Sequence, residues 1–155
     1  MSDVYILNLF ADLRKQMLNA ISSLSKGQLN HTPKGFSNNV FWQIGHVLTI
    51  TDELIFTLSG DGSRIPTSYR AYFMTGTSPI SWSGKPPDIN IIVKELEIQM
   101  LEIYEKYDGR LAQPVDDQNN FLRASVIGEL FYVLIAHESM HLGMVNAMVK
   151  VLEIE

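Results

Sequence analysis

The sequence predicts an all-α fold: an antiparallel four-helix bundle with a long loop between helices two and three. Four segments repeat apolar residues at the three-then-four spacing of a buried helix face. Turn formers punctuate the chain between those segments, and no stretch shows a strong strand pattern. At 155 residues the chain reads as one domain over 1–155, long enough to bury a core without disulfides.

The first helix is expected from about Val4 to Leu24, with Ile6, Phe10, Leu13, Met17, Ala20 and Leu24 on one stripe. Asp12, Lys15, Asn19 and Ser22 occupy the opposite, solvated side. The second is expected from about Asn38 to Leu58, with Ser37 as N-cap and Gly60 as stop. The third should follow Pro86-Pro87, begin at the N-cap Asp88 and end near Tyr107-Asp108-Gly109. Its stripe is Ile89, Ile92, Leu96, Met100, Ile103 and Tyr107. The fourth should run from near Ser125 to about Val151, its stripe being Ile127, Leu130, Leu134, His137, His141, Met144 and Met148. Between helices two and three, Tyr69, Tyr72, Phe73 and Trp82 accompany the turn formers. A loop with that aromatic load is expected to fold over the bundle. The stretch from Gly109 to Arg123 is polar and reads as a solvated linker.

Composition narrows the function. The formal net charge is −5, and the twelve Lys and Arg are scattered, which argues against a nucleic-acid partner. There is no cysteine, so a thiolate ligand, a cysteine nucleophile and a disulfide framework are all excluded. Met1-Ser2-Asp3 offers no basic start to a signal peptide, and no apolar run approaches the ~20 residues of a membrane span. The expectation is a cytoplasmic protein with a small-molecule substrate and no membrane partner.

His137 and His141 are four apart on the fourth helix, so their imidazoles share a face and can converge on one cation. They interrupt an apolar stripe, where an unpaired buried ring nitrogen costs about 1–3 kcal/mol. A metal would satisfy both. The alternative for such a pair is core histidines hydrogen-bonded to backbone or tyrosine. His46 lies on the second helix in line with Trp42 and Glu53, and Gly45 before it allows close approach of a neighbour. Three neutral nitrogen ligands leave a position open for water or substrate, the pattern of a catalytic site. His31, in Asn30-His31-Thr32-Pro33, reads as a turn residue.

His137-Glu138-Ser139-Met140-His141 also fits the His-Glu-x-x-His pattern of zinc peptidases. Met144 and Ala147 stand where the extended form of that motif needs Gly and His, and Glu153 lies too far along the same helix to ligate. Peptidase activity is therefore not expected. Glu138 is the candidate catalytic residue, transferring protons beside the metal; its alternative is a charged residue on the bundle flank. Glu53 is either a distal ligand or second acceptor, or simply solvated.

Trp42 and Gly45 before a histidine on helix two, the aromatic loop, and His137-x-x-x-His141-x-Gly143 on the last helix together resemble the DinB/YfiT-like superfamily. The resemblance covers essentially the whole chain. It implies a four-helix bundle holding a divalent metal through His46, His137 and His141. Zinc and nickel are the expected metals, with manganese and iron as alternatives, and a homodimer is the expected assembly. It also implies a thiol-dependent transferase or isomerase using a low-molecular-weight thiol such as bacillithiol or mycothiol. Relatives often carry Gln after the Gly of the last motif; Met144 stands there, which marks a different substrate.

Trp42, Tyr72 and Phe73 are the residues expected to wall the cofactor and substrate pocket; the alternative for Trp42, at helical spacing, is a plain core residue. The leading expectation is a metal-dependent thiol transferase, with hydrolysis second. The competing class is a non-catalytic metal-binding or ligand-sensing bundle, and a metal-free bundle with packed histidines is the third.

Overall fold

A computed structural model describes residues 3–155; Met1 and Ser2, part of the segment read for a signal peptide, lie outside the described residues. The fold is all-α. Six α-helices occupy the described residues: α1 (Asp3–Ile21), α2 (Lys26–Asn30), α3 (Val40–Thr51), α4 (Tyr69–Phe73), α5 (Ile89–Tyr107) and α6 (Ile127–Ile154). A π-helical segment, Asp52–Thr57, continues α3, and a 3-10 turn spans Pro79–Ser81.

Several boundaries differ from the expectation. The first helix ends at Ile21 rather than Leu24, because a new helix starts at Lys26. Ser25 caps that helix by accepting from the Gln28 backbone N–H, while the Gln28 side chain accepts from the Ser25 N–H. The cap of α3 is Asn39, whose side chain accepts from Trp42 N at 2.8 Å, not Ser37. The last helix begins at Ile127, where the Glu129 carboxylate accepts from Ser125 N at 2.6 Å and Val126 N at 3.3 Å. Asp88 caps α5 and α5 ends at Tyr107, as expected. Gly60 follows the π segment with φ +89°, a backbone region that penalises a side chain.

The core forms two apolar clusters, one at each end of the long helices. One joins Met17 and Ile21 of α1 to Val40–Leu48 residues of α3, Ile89–Leu96 of α5 and Leu142–Leu152 of α6. The other joins Ile6–Ala11, Leu54–Phe56, Met100–Tyr107 and Ile127–Leu134 residues of the same four segments. These groupings fix directions. Helices α1 and α6 run the same way, while α3 and α5 both run the other way. The expected antiparallel arrangement holds for α1 against α5 and α3 against α6, and not for α1 beside α6 or α3 beside α5. Two parallel helices cannot be joined by a short turn; a 19-residue helix such as α5 is about 28 Å long, and the chain must return over that distance. That requirement accounts for the long segment between Leu58 and Asp88. It holds α4 and the 3-10 turn, and its Tyr69 and Phe73 enter the core.

Between the clusters lies a polar layer built on Arg14, which is fully buried. Its five N–H groups all find acceptors. Nε and Nη2 reach the Glu138 carboxylate, Nη2 also reaches Thr51 Oγ1, and Nη1 reaches Leu96 O and Gln99 Oε1. Gln99 Nε2 in turn donates to Leu48 O at 3.0 Å. All four long helices are tied at this level. The stretch from Gly109 to Arg123 is also less solvated than expected: Leu111 and Val115 enter the core, and Pro114 pairs with Val126 in a single β-bridge.

Candidate metal centre

The site begins with a glycine. A Cβ on Gly45 would lie 2.3 Å from the Phe73 ring, so only glycine lets α4 settle against α3 here. That approach brings the Phe73 carbonyl to 2.6 Å from His46 Nδ1. A carbonyl only accepts, so His46 carries its proton on Nδ1 and keeps a lone pair on Nε2. The Trp42 ring stacks on the same imidazole, with centroids 4.5 Å apart and planes 12° from parallel.

One turn earlier on α3, Gln43 performs the same service for His141. Gln43 Nε2 donates to Asn38 Oδ1 at 2.9 Å, which turns its Oε1 toward His141 Nδ1 at 2.6 Å. His141 is thereby protonated on Nδ1, and its buried Nε2 has no partner within the protein. His137 places Nε2 3.2 Å from His46 Nε2, and its Nδ1 is likewise buried without a partner. The three residues each offer one ring nitrogen, all within 4.8 Å of one another.

This donor set fits a divalent cation. Two nitrogens bound to a tetrahedral zinc at about 2.0 Å would lie about 3.3 Å apart, close to the observed 3.2 Å. Burial favours neutral imidazoles, the form that ligates. It pushes His137 down to about 3, with the neighbouring His141, His46 and Arg14 adding to the effect. It pushes His141 down to about 4 with a contribution from His46, and it also lowers His46, against the Phe73 carbonyl. Without a metal, two buried nitrogens stay unsatisfied; with one, His141 Nε2 gains its missing partner.

The other residues singled out in the sequence have different surroundings. Glu138 is 0% exposed, so it is not on the flank; its carboxylate accepts from Arg14 and Thr51 and is not among the convergent ligand atoms. Glu53 accepts from Arg70 Nη1 at 2.8 Å and is not among the convergent ligand atoms. His31 Nε2 lies 2.9 Å from Glu155 Oε2, at the end of α2. Phe73 is buried in the core, and the Tyr72 hydroxyl donates to Ser83 O and Lys85 O. Met144 is 39% exposed and leaves the apolar stripe it was expected to continue.

A cleft of about 340 Å³ opens on His137. Ile50, Leu54, Met74, Phe121, Leu122 and Val133 line it, with Thr75 and Glu53. Trp42, Tyr72 and Phe73 are not part of that lining. Three of its residues flank or lie in the π segment, whose extra residue per turn re-aims the side chains that follow; such segments recur at functional sites. Phe121 and Leu122 come from the stretch read as a solvated linker.

The fold and these side chains define an all-helical protein with three histidines positioned to bind a metal ion. The family model of the DinB superfamily matches residues 9–145, and the chain belongs to that superfamily. Comparison with curated proteins gives no match. No helix among the described residues is long and apolar enough to cross a membrane.

Proposed function

We propose that this chain is a divalent-metal-dependent enzyme acting on a small molecule, a thiol-dependent transferase first and a hydrolase second. The observation that carries this is the pair of locked tautomers. The Phe73 carbonyl and the Gln43 amide each hold one Nδ1–H, leaving two Nε2 lone pairs aimed beside His137. A divalent cation in that place would lower the pKa of a thiol or a water and supply a nucleophile at neutral pH. Because the chain has no cysteine, a thiol has to come from outside the chain.

The chain's own residues set the conditions for that chemistry. Three histidine ligands leave the remaining coordination positions to an outside molecule. Trp42 fixes the His46 ring plane by stacking on it, and burial keeps all three imidazoles unprotonated near neutral pH. The cleft beside His137 gives a substrate access from one side. Glu138 is engaged by Arg14, so its contribution is to hold α6 in place.

The test is turnover by metal-loaded protein with panels of electrophiles plus small thiols, and of ester and amide substrates. Activity that disappears on chelation and returns with zinc or nickel is expected. Full metal loading without turnover in either panel would leave the competing class, a metal-binding or sensing protein.

A further inference from the structure

The cleft beside His137 carries a message about the substrate. Six of its lining side chains are apolar: Ile50, Leu54, Met74, Phe121, Leu122 and Val133. The charged group on the lining, Glu53, already accepts from Arg70. No lysine or arginine contributes to the wall, so nothing there matches a carboxylate or phosphate, which would lose its hydration without gaining an ion pair. Thr75 supplies a hydroxyl, enough to orient one uncharged polar atom. His137 is both a member of the convergent set and part of this wall. A molecule that reaches the metal therefore enters, or leaves its substituent, along an apolar surface.

We propose that the substrate carries an uncharged apolar substituent next to the atom that approaches the metal, and that this substituent fills the cleft. The inference rests on the metal-dependent reading above. The space, about 340 Å³, suits a short alkyl chain or one aromatic ring with its linker. The phenyl ring of Phe121, 72% exposed, stands at this cleft and would be covered by such an occupant.

Straight-chain hydroxamic acids supply a suitable probe, since the head group binds a cation and only the tail varies. The full chain is loaded with zinc, its metal content is read by elemental analysis, and acetohydroxamate through octanohydroxamate are titrated calorimetrically. Affinity should rise about two- to fourfold per methylene and level off once the cleft is full. Succinohydroxamic acid, with a terminal carboxylate, should bind more weakly than the alkyl compound of equal length. Val133→Asp should flatten the chain-length trend while zinc content stays as in the parent. Phe121→Ala, a change at an exposed position, should reduce the increment per methylene and serves where Val133→Asp does not fold. A flat series, tighter binding of the carboxylate compound, an unchanged trend in the variants, or no binding by any member to zinc-loaded protein would overturn the inference and leave the metal site standing. Absence of zinc from the protein would instead remove the metal-dependent reading and this inference with it.

Discussion

Gln43 and the Phe73 carbonyl each take one imidazole N–H, and that decides which nitrogen of His141 and His46 is free to ligate. A histidine ligand without such an acceptor loses both its preferred tautomer and its ring orientation. Replacing Gln43 with Ala should weaken metal binding by about 10–100-fold, measured by competition with a chromophoric chelator. Gln43→Glu keeps an acceptor oxygen and should retain most of the affinity. Equal affinity in all three proteins would show that His141 is oriented by packing alone. Neither acceptor was legible in the sequence. The His137 to His141 spacing was, because two imidazoles four residues apart on a helix share a face whatever surrounds them. Which partner each ring meets depends on how α3, α4 and α6 lie in space.

At the scale of the helices, the Arg14–Glu138 pair shows the same division. Arg14 falls outside the apolar stripe read for the first helix, and Glu138 was assigned to catalysis or to the flank. In the fold both side chains are fully buried, with Thr51, Gln99 and Leu96 O completing the network. Such a pair is costly to desolvate and more costly to break. Arg14→Ala should lower stability by about 3–5 kcal/mol in urea titrations, because it strands a buried carboxylate. The double change Arg14→Met with Glu138→Leu should recover most of that loss; if it does not, the layer is held by shape rather than by charge. The π segment after α3 was also hidden, since its residues carry the same apolar spacing as the helix they extend. The short α2 was missed as well, although Ser25-x-x-Gln28 has the pattern of a capping box. The long-helix stripes were legible because apolar periodicity reports burial directly: every residue of the α5 stripe is buried.

Across the whole molecule, the direction of the helices could not be read from periodicity, which has no sign. The long connection after Leu58 held the clue, because only helices running the same way need a return path of that length. The histidine site sits between α3 and α6, which run in opposite directions, and it couples stability to pH. In the metal-free protein, burial lowers His46, His137 (to about 3) and His141 (to about 4) below the ~6.5 of an unfolded imidazole. The unfolded chain therefore binds more protons between those values, and stability rises with pH across that window. Unfolding of metal-free protein should become easier as pH falls from about 6.5 toward 4, and His137→Gln should reduce the slope. A pH-independent midpoint over that range would mean that the imidazoles are already solvated. A bound cation adds stability at neutral pH and loses it in acid, as protons compete for the same nitrogens.

The central claim is that His46, His137 and His141 hold a divalent cation, and the metal content of protein purified without a metal-affinity tag tests it most directly. A single cation per chain is predicted, removed by His141→Ala in a variant that still shows a helical circular-dichroism spectrum. Metal-free protein that stays metal-free after incubation with zinc or nickel, or equal metal content in the parent and His141→Ala, would contradict it.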